Sequence, residues 1–143
     1  MMKKRNRKGG FSIAEAIIAL TVIVVISMTA LTIVMSSFAA KTTLITRSQG
    51  ISFADNVWEC FKEAEDLDEF KALVVNAGIM PSDVADDIES ETSFSYNNKE
   101  YKYTAKITVV YSNGVRPKLD IVVSEMDDSD SEIISFTYTK GAK

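Results

Sequence analysis

The apolar positions fall into two regimes. From Ala16 to Ala40 there are 25 consecutive residues without a formal charge, Gly or Pro. About 20 apolar residues cross the hydrocarbon core of a bilayer as a helix, so this run predicts a transmembrane helix with length left for tilt. The hydroxyls of Thr21, Ser27, Thr29, Thr32, Ser36 and Ser37 have helix carbonyls as natural partners. Beyond the run, Leu44, Ile51, Ala54, Trp58 and Phe61 recur at helical intervals, which predicts an amphipathic continuation over 41–65 that packs on a sheet. Gly50 weakens that stretch by up to about 1 kcal/mol relative to alanine. Unbroken from Phe11 to Ala64, the helix would be about 80 Å long. Asp66 with Glu69 reads as the cap of a second, short helix through Leu67, Phe70, Val74 and Ala77, ended by Gly78 and Pro81. Ser82 is expected to cap one more turn over Val84 and Ile88, so 66–91 is a helical connecting region.

After Glu91 the period changes from 3.6 to 2. Phe94 and Tyr96 mark a short first strand. Tyr101, Tyr103, Ala105, Ile107, Val109 and Tyr111 then alternate with polar residues, and Leu119, Ile121, Val123 and Ile134, Phe136, Tyr138 follow in the same manner. One face of each strand is buried and the other wet. A three-residue loop from Ser112 to Gly114, with Gly114 left-handed, keeps the apolar faces together by pairing Tyr111 with Val115 and Ile107 with Leu119. The fold class is α+β: a long N-terminal helix, transmembrane in its first half, packed on a four-stranded antiparallel meander over 92–140, with short helices between.

Charge divides the chain sharply. Lys3, Lys4, Arg5, Arg7 and Lys8 precede Gly10, whereas the remaining 133 residues hold 11 basic and 20 acidic side chains, net −9. Neutralising phosphates needs clustered Lys and Arg, so the acidic part disfavours direct nucleic-acid binding. Four of the five tyrosines alternate on strands without a basic groove, which makes them core rather than stacking platforms. The leading charges, against Lys41 and Arg47 on the far flank, place the N-terminus in the cytoplasm and the head outside. Cys60 is the only cysteine, so no disulfide forms within the chain, and it reads as a buried small hydrophobe. The absence of histidine removes Ser/His/Asp and Cys/His triads and the commonest zinc sites, so no enzymatic activity is expected.

A plain single-pass anchor accounts for the length and the basic flank. A secretory signal, with cleavage near Ser37-Phe38-Ala39, has a shorter apolar region of about 7 to 15 residues. Neither explains "GGF" or Glu15, a carboxylate that costs about 2.5 to 3.5 kcal/mol at bilayer depth and marks function. The basic leader ending in Gly10, followed by Phe11, Ser12, Ile13, Ala14, Glu15 and the apolar run, resembles the class III signal of type IV pilins and type II secretion pseudopilins. The resemblance is strict over about the first 40 residues.

This resemblance implies a leader over 1–10 and a transmembrane and assembly helix over 11–40. Prepilin peptidase is expected to cut between Gly10 and Phe11 and to methylate the new amino group of Phe11. Glu15 is implied to pair with that amino group, within the chain or on a neighbouring subunit. Implied partners are other pilins or pseudopilins, an assembly platform protein with its ATPase, and membrane lipid before assembly. The implied location is the cytoplasmic membrane, then an extracellular or periplasmic filament. Major pilins carry a proline where this chain has Thr32, and "EAIIAL" resembles the opening of minor subunits, which together point to a minor pilin or pseudopilin. Two other readings are a competence pseudopilin serving DNA uptake and a membrane-anchored binding module that never polymerises. No cofactor is expected, although Glu125, Asp127, Asp128, Asp130 and Glu132 in "EMDDSDSE" offer hard oxygens to calcium. Their spacing fits no EF-hand, and adjacent carboxylates also serve simply to solvate a turn.

Overall fold

A computed structural model describes residues 12–112, 114–126 and 128–141, without the side chains of 128–130. The chain divides after Lys41 into two compact units. Helix α1, Ile13–Glu63, has its first part in the N-terminal unit and its remainder in the second. It runs unbroken through Thr32, whose hydroxyl donates to the Met28 carbonyl at 2.9 Å.

The second unit is α+β. Helices α2, Leu67–Asn76, and α3, Ser82–Ala85, lead to strands β1 (Ser93–Asn98), β2 (Tyr103–Val110), β3 (Lys118–Glu125) and β4 (Asp128–Thr139), paired antiparallel in the order β1-β2-β3-β4. The cap of α2 is as expected: the Glu69 amide donates to Asp66 Oδ1 at 2.8 Å, while Glu69 Oε2 accepts from the Glu65 amide at 2.6 Å. Ser82 instead occupies the first position of α3, after Pro81, and makes no cap bond. Proline at that boundary sets the extended backbone by itself.

Alternation builds the core. Ala105, Ile107 and Val109 on β2 pair with Val123, Ile121 and Leu119 on β3, and all six are fully buried. Against them lie Ala54, Val57 and Phe61 of α1, with Phe70 and Val74 of α2. Phe61 meets Phe70 and Tyr138 edge-on at 6.1 Å centroid distance, and Phe53 stacks on Tyr96 at 5.2 Å. Tyr111 and Lys140 both donate to the Ala64 carbonyl, just past the end of α1.

Three further expectations need correction. Leu44 and Ile51 are exposed, and the buried face of α1 is instead Thr46, Gly50, Phe53, Ala54, Val57, Cys60 and Phe61. Gly50 is there because the sheet approaches closely: a Cβ on it would sit 2.9 Å from Val123 Cγ1 and 3.3 Å from Ile133 Cδ1. The β2–β3 register is displaced by two from the expected one, since Ile107 pairs with Ile121 and Val109 with Leu119. Pro117 has no amide proton to give a ladder, so pairing ends at Lys118 and the connection lengthens. An even displacement preserves the buried faces. Gly114 is left-handed, at φ +85°, as expected, whereas Asn113 lies outside the described residues. Tyr101 belongs to the β1–β2 turn, its amide donating to Asn98 Oδ1 at 3.0 Å. On β4, Ile134, Phe136 and Tyr138 pack against the core as expected, and the register of β3 on β4 shifts between Val123 and Ser124, where a bulge adds Ile133 to them.

Cys60 is buried and unpaired. Burial pushes its thiol up from the ordinary range, and the neighbouring carboxylates of Glu63 and Glu59 add to this. The thiolate is the reacting form. Alkylation by iodoacetamide at neutral pH is therefore expected to be at least about tenfold slower in the folded chain than in denaturant, measured by mass spectrometry over time. Equal rates would show that the thiol is accessible.

Candidate functional site

The N-terminus of α1 is built by Ser12. Its carbonyl accepts from the Ala16 amide at 3.1 Å and its hydroxyl from the Ala14 amide at 3.3 Å, the bonds of an N-cap. Glu15 then falls in the first helical turn, where a carboxylate is favoured by the unpaired amides and the helix dipole. Ser12-Ile13-Ala14-Glu15 has the capping-box pattern, a local signal present in the sequence and overlooked in the reading of Glu15 as an assembly residue alone.

From Ser12 through Ile45 every residue is exposed. Ile13 is 81% exposed and Phe38 64%, with Leu20, Ile26, Leu31 and Ile33 between them comparably bare. Soluble monomers rarely leave a contiguous apolar patch of more than a few hundred Å² uncovered. The helix is long and apolar enough to cross a membrane.

Its polar content suits an apolar surround. Thr21 donates to the Ile17 carbonyl at 2.8 Å, Thr29 to that of Ile26 at 2.8 Å, and Ser36 and Ser37 to that of Ile33 at 2.9 and 2.8 Å. These hydroxyls need no water. Glu15 is the sole ionisable side chain between Ser12 and Ala40, and it has no such internal answer among the described residues.

The other predicted site residues are not brought to it. Lys3, Lys4, Arg5, Arg7, Lys8, Gly10 and Phe11 lie outside the described residues, as do Asp127 and the side chains of Asp128 and Asp130. The backbone from Asp128 opens β4, and Glu132 is exposed opposite Ser124. Glu125 accepts from Arg47 Nε at 3.2 Å. Among the described residues no group of three His, Cys, Asp or Glu side chains is placed to hold a metal ion.

Protein-family models, curated proteins and solved structures were each compared with the chain, and none matches.

Proposed function

We propose that this chain is a minor pilin or pseudopilin, made with a leader that prepilin peptidase removes and then built into a type IV pilus-like filament. One observation carries the reading: an apolar helical surface, uncovered from Ser12 to Ala40 and holding a single charge at Glu15, leads into a folded α+β unit. Before assembly, lipid covers that surface. After assembly, the same segments of neighbouring subunits do.

Cleavage after Gly10 does two things at once. It discards the five leader charges that hold the N-terminus on the cytoplasmic side. It also frees an amino group on Phe11, which is cationic at neutral pH and stays so when methylated. Phe11 directly precedes the Ser12 cap and Glu15 lies in the first helical turn, so the amino group can meet Glu15 of its own chain, or that of the next subunit. In a low-dielectric bundle the pair acts as a register device more than as a source of net stability, because desolvation offsets much of the attraction.

Mass spectrometry of the protein from its native cells tests the first step. The mature N-terminus is expected at Phe11, carrying one methyl group, and Gly10→Leu is expected to leave the leader attached. Recovery of the native chain with Lys3 and Lys4 still present would overturn the proposal.

A further inference from the structure

A small cleft in the second unit has a composition that the pilin reading does not use. Its volume is about 190 Å³ and ten residues line it, none of them charged, in a chain that is 25% charged. Three elements converge there. Gln49, Ser52, Phe53 and Asn56 lie along one face of α1, the turn over 77–79 closes one side, and the β1–β2 connection closes the other. Gly78 has φ +69° and open space where a Cβ would be, so that side stays low.

The polar groups in the cleft differ in a telling way. Asn98 is engaged at both ends: its Oδ1 accepts from the Tyr101 amide at 3.0 Å and its Nδ2 donates to the Tyr103 hydroxyl at 3.3 Å. This fixes the two tyrosines. Burial pushes the Tyr103 phenol up to about 12, with the Asn98 bond a smaller, opposing effect, so it keeps its proton at any physiological pH. Gln49, Ser52 and Asn56 face solvent, and their side chains make no hydrogen bond within the described residues. Two primary amides and a hydroxyl are thus held on a rigid helix beside a buried phenylalanine and two tyrosines.

Side-chain amides offer a donor and an acceptor side by side, which matches adjacent hydroxyls of one ring. Aromatic rings cover the apolar C–H face of such a ring. A charged ligand finds no counter-charge in the lining, and an apolar one makes no use of the amides. The volume falls below the roughly 300–1,000 Å³ of sites for drug-sized ligands, so it admits one small ring. We infer that this cleft binds a neutral saccharide unit, with Gln49, Ser52 and Asn56 reading its hydroxyls and the half-buried Tyr101 flanking it, while buried Phe53 and Tyr103 form the floor. The site does not depend on leader cleavage or on filament assembly.

The test uses the full chain, isotope-labelled, in phosphocholine-headed detergent micelles that contain no sugar. Amide signals are followed as glucose, galactose, N-acetylglucosamine and N-acetylgalactosamine are titrated in, with glucuronate and a neutral capped tripeptide as comparisons. At least one neutral sugar is expected to shift signals of Gln49, Ser52, Asn56 and Asn98 with about millimolar affinity. The double substitution Gln49→Ala with Asn56→Ala, both at exposed positions, is expected to weaken this by about tenfold or more while leaving the rest of the spectrum in place. No shift with any sugar overturns the inference. So does a shift produced equally by glucuronate, or by the capped tripeptide in place of the sugars.

Discussion

Glu15→Ala is expected to be cleaved and methylated normally and to be nearly absent from filaments. The reason is an imbalance that the substitution creates. On the proposed reading the Phe11 ammonium would be enclosed among apolar helices in the filament, and removing the partner of a buried charge costs about 3–5 kcal/mol, which is a hundredfold or more in incorporation. Cleavage precedes that burial and does not feel it. Glu15→Gln separates this from the capping role: glutamine serves at the third position of a capping box as well as glutamate does, but it brings no charge. Loss of Ser12 capping costs about 1 kcal/mol, far less than the assembly defect. The measurement is the fraction of mature subunit sheared into the filament fraction, by immunoblot with wild type alongside. If Glu15→Gln enters filaments as wild type does, the charge is not what assembly reads, and the proposed pairing is wrong.

Gly50→Leu is expected to destabilise the second unit by about 3 kcal/mol or more. Two effects oppose each other at this position. A helix gains up to about 1 kcal/mol when glycine is replaced by a better helix former. Against that, even a Cβ would come within 2.9 Å of Val123 Cγ1, a short branched side chain on the central strand β3 that has no free rotation away, and within 3.3 Å of Ile133. A leucine must push α1 off the sheet, and the clash wins. Thermal unfolding followed by near-ultraviolet circular dichroism should show a midpoint lower by roughly 10 °C or more. The same change at exposed Ser48 is expected to stay within about 0.5 kcal/mol of wild type. An unchanged midpoint for Gly50→Leu would mean that helix and sheet are not this close.

Gly50 also shows what sequence periodicity misses. The spacing of large apolar residues finds helices reliably, but on α1 it selected Leu44 and Ile51, which are exposed, over Thr46 and Gly50, which are buried. Where a sheet comes close, the residue on the contact line is small, and a search for large side chains passes over it. On the strands the alternation was decisive, because each buried residue needs only the correct parity: Tyr103, Ala105, Ile107 and Val109 all face inward. The same tolerance hid the two-residue error in the β2–β3 register, which leaves parity intact, and it broke at Ile133, where a bulge suspends alternation. The α2 cap was legible because its signal is local. At the candidate site, Glu15 stood out as a lone carboxylate in an apolar run, and that prominence hid its place beside the Ser12 cap, which the spacing Ser12 to Glu15 also carries and the backbone bonds show.

The carbonyl of Ala64 receives donors from Tyr111 and from Lys140, residues 47 and 76 positions further along the chain. Contacts of such high contact order form late, after the entropy of closing long loops has been overcome. For a polypeptide delivered from its amino end, the knot at the end of α1 therefore stays untied until Lys140 has emerged. Until then the globular part has no finished half-state: helix and sheet are joined at this point by the last strand's far end, not by its neighbours in sequence.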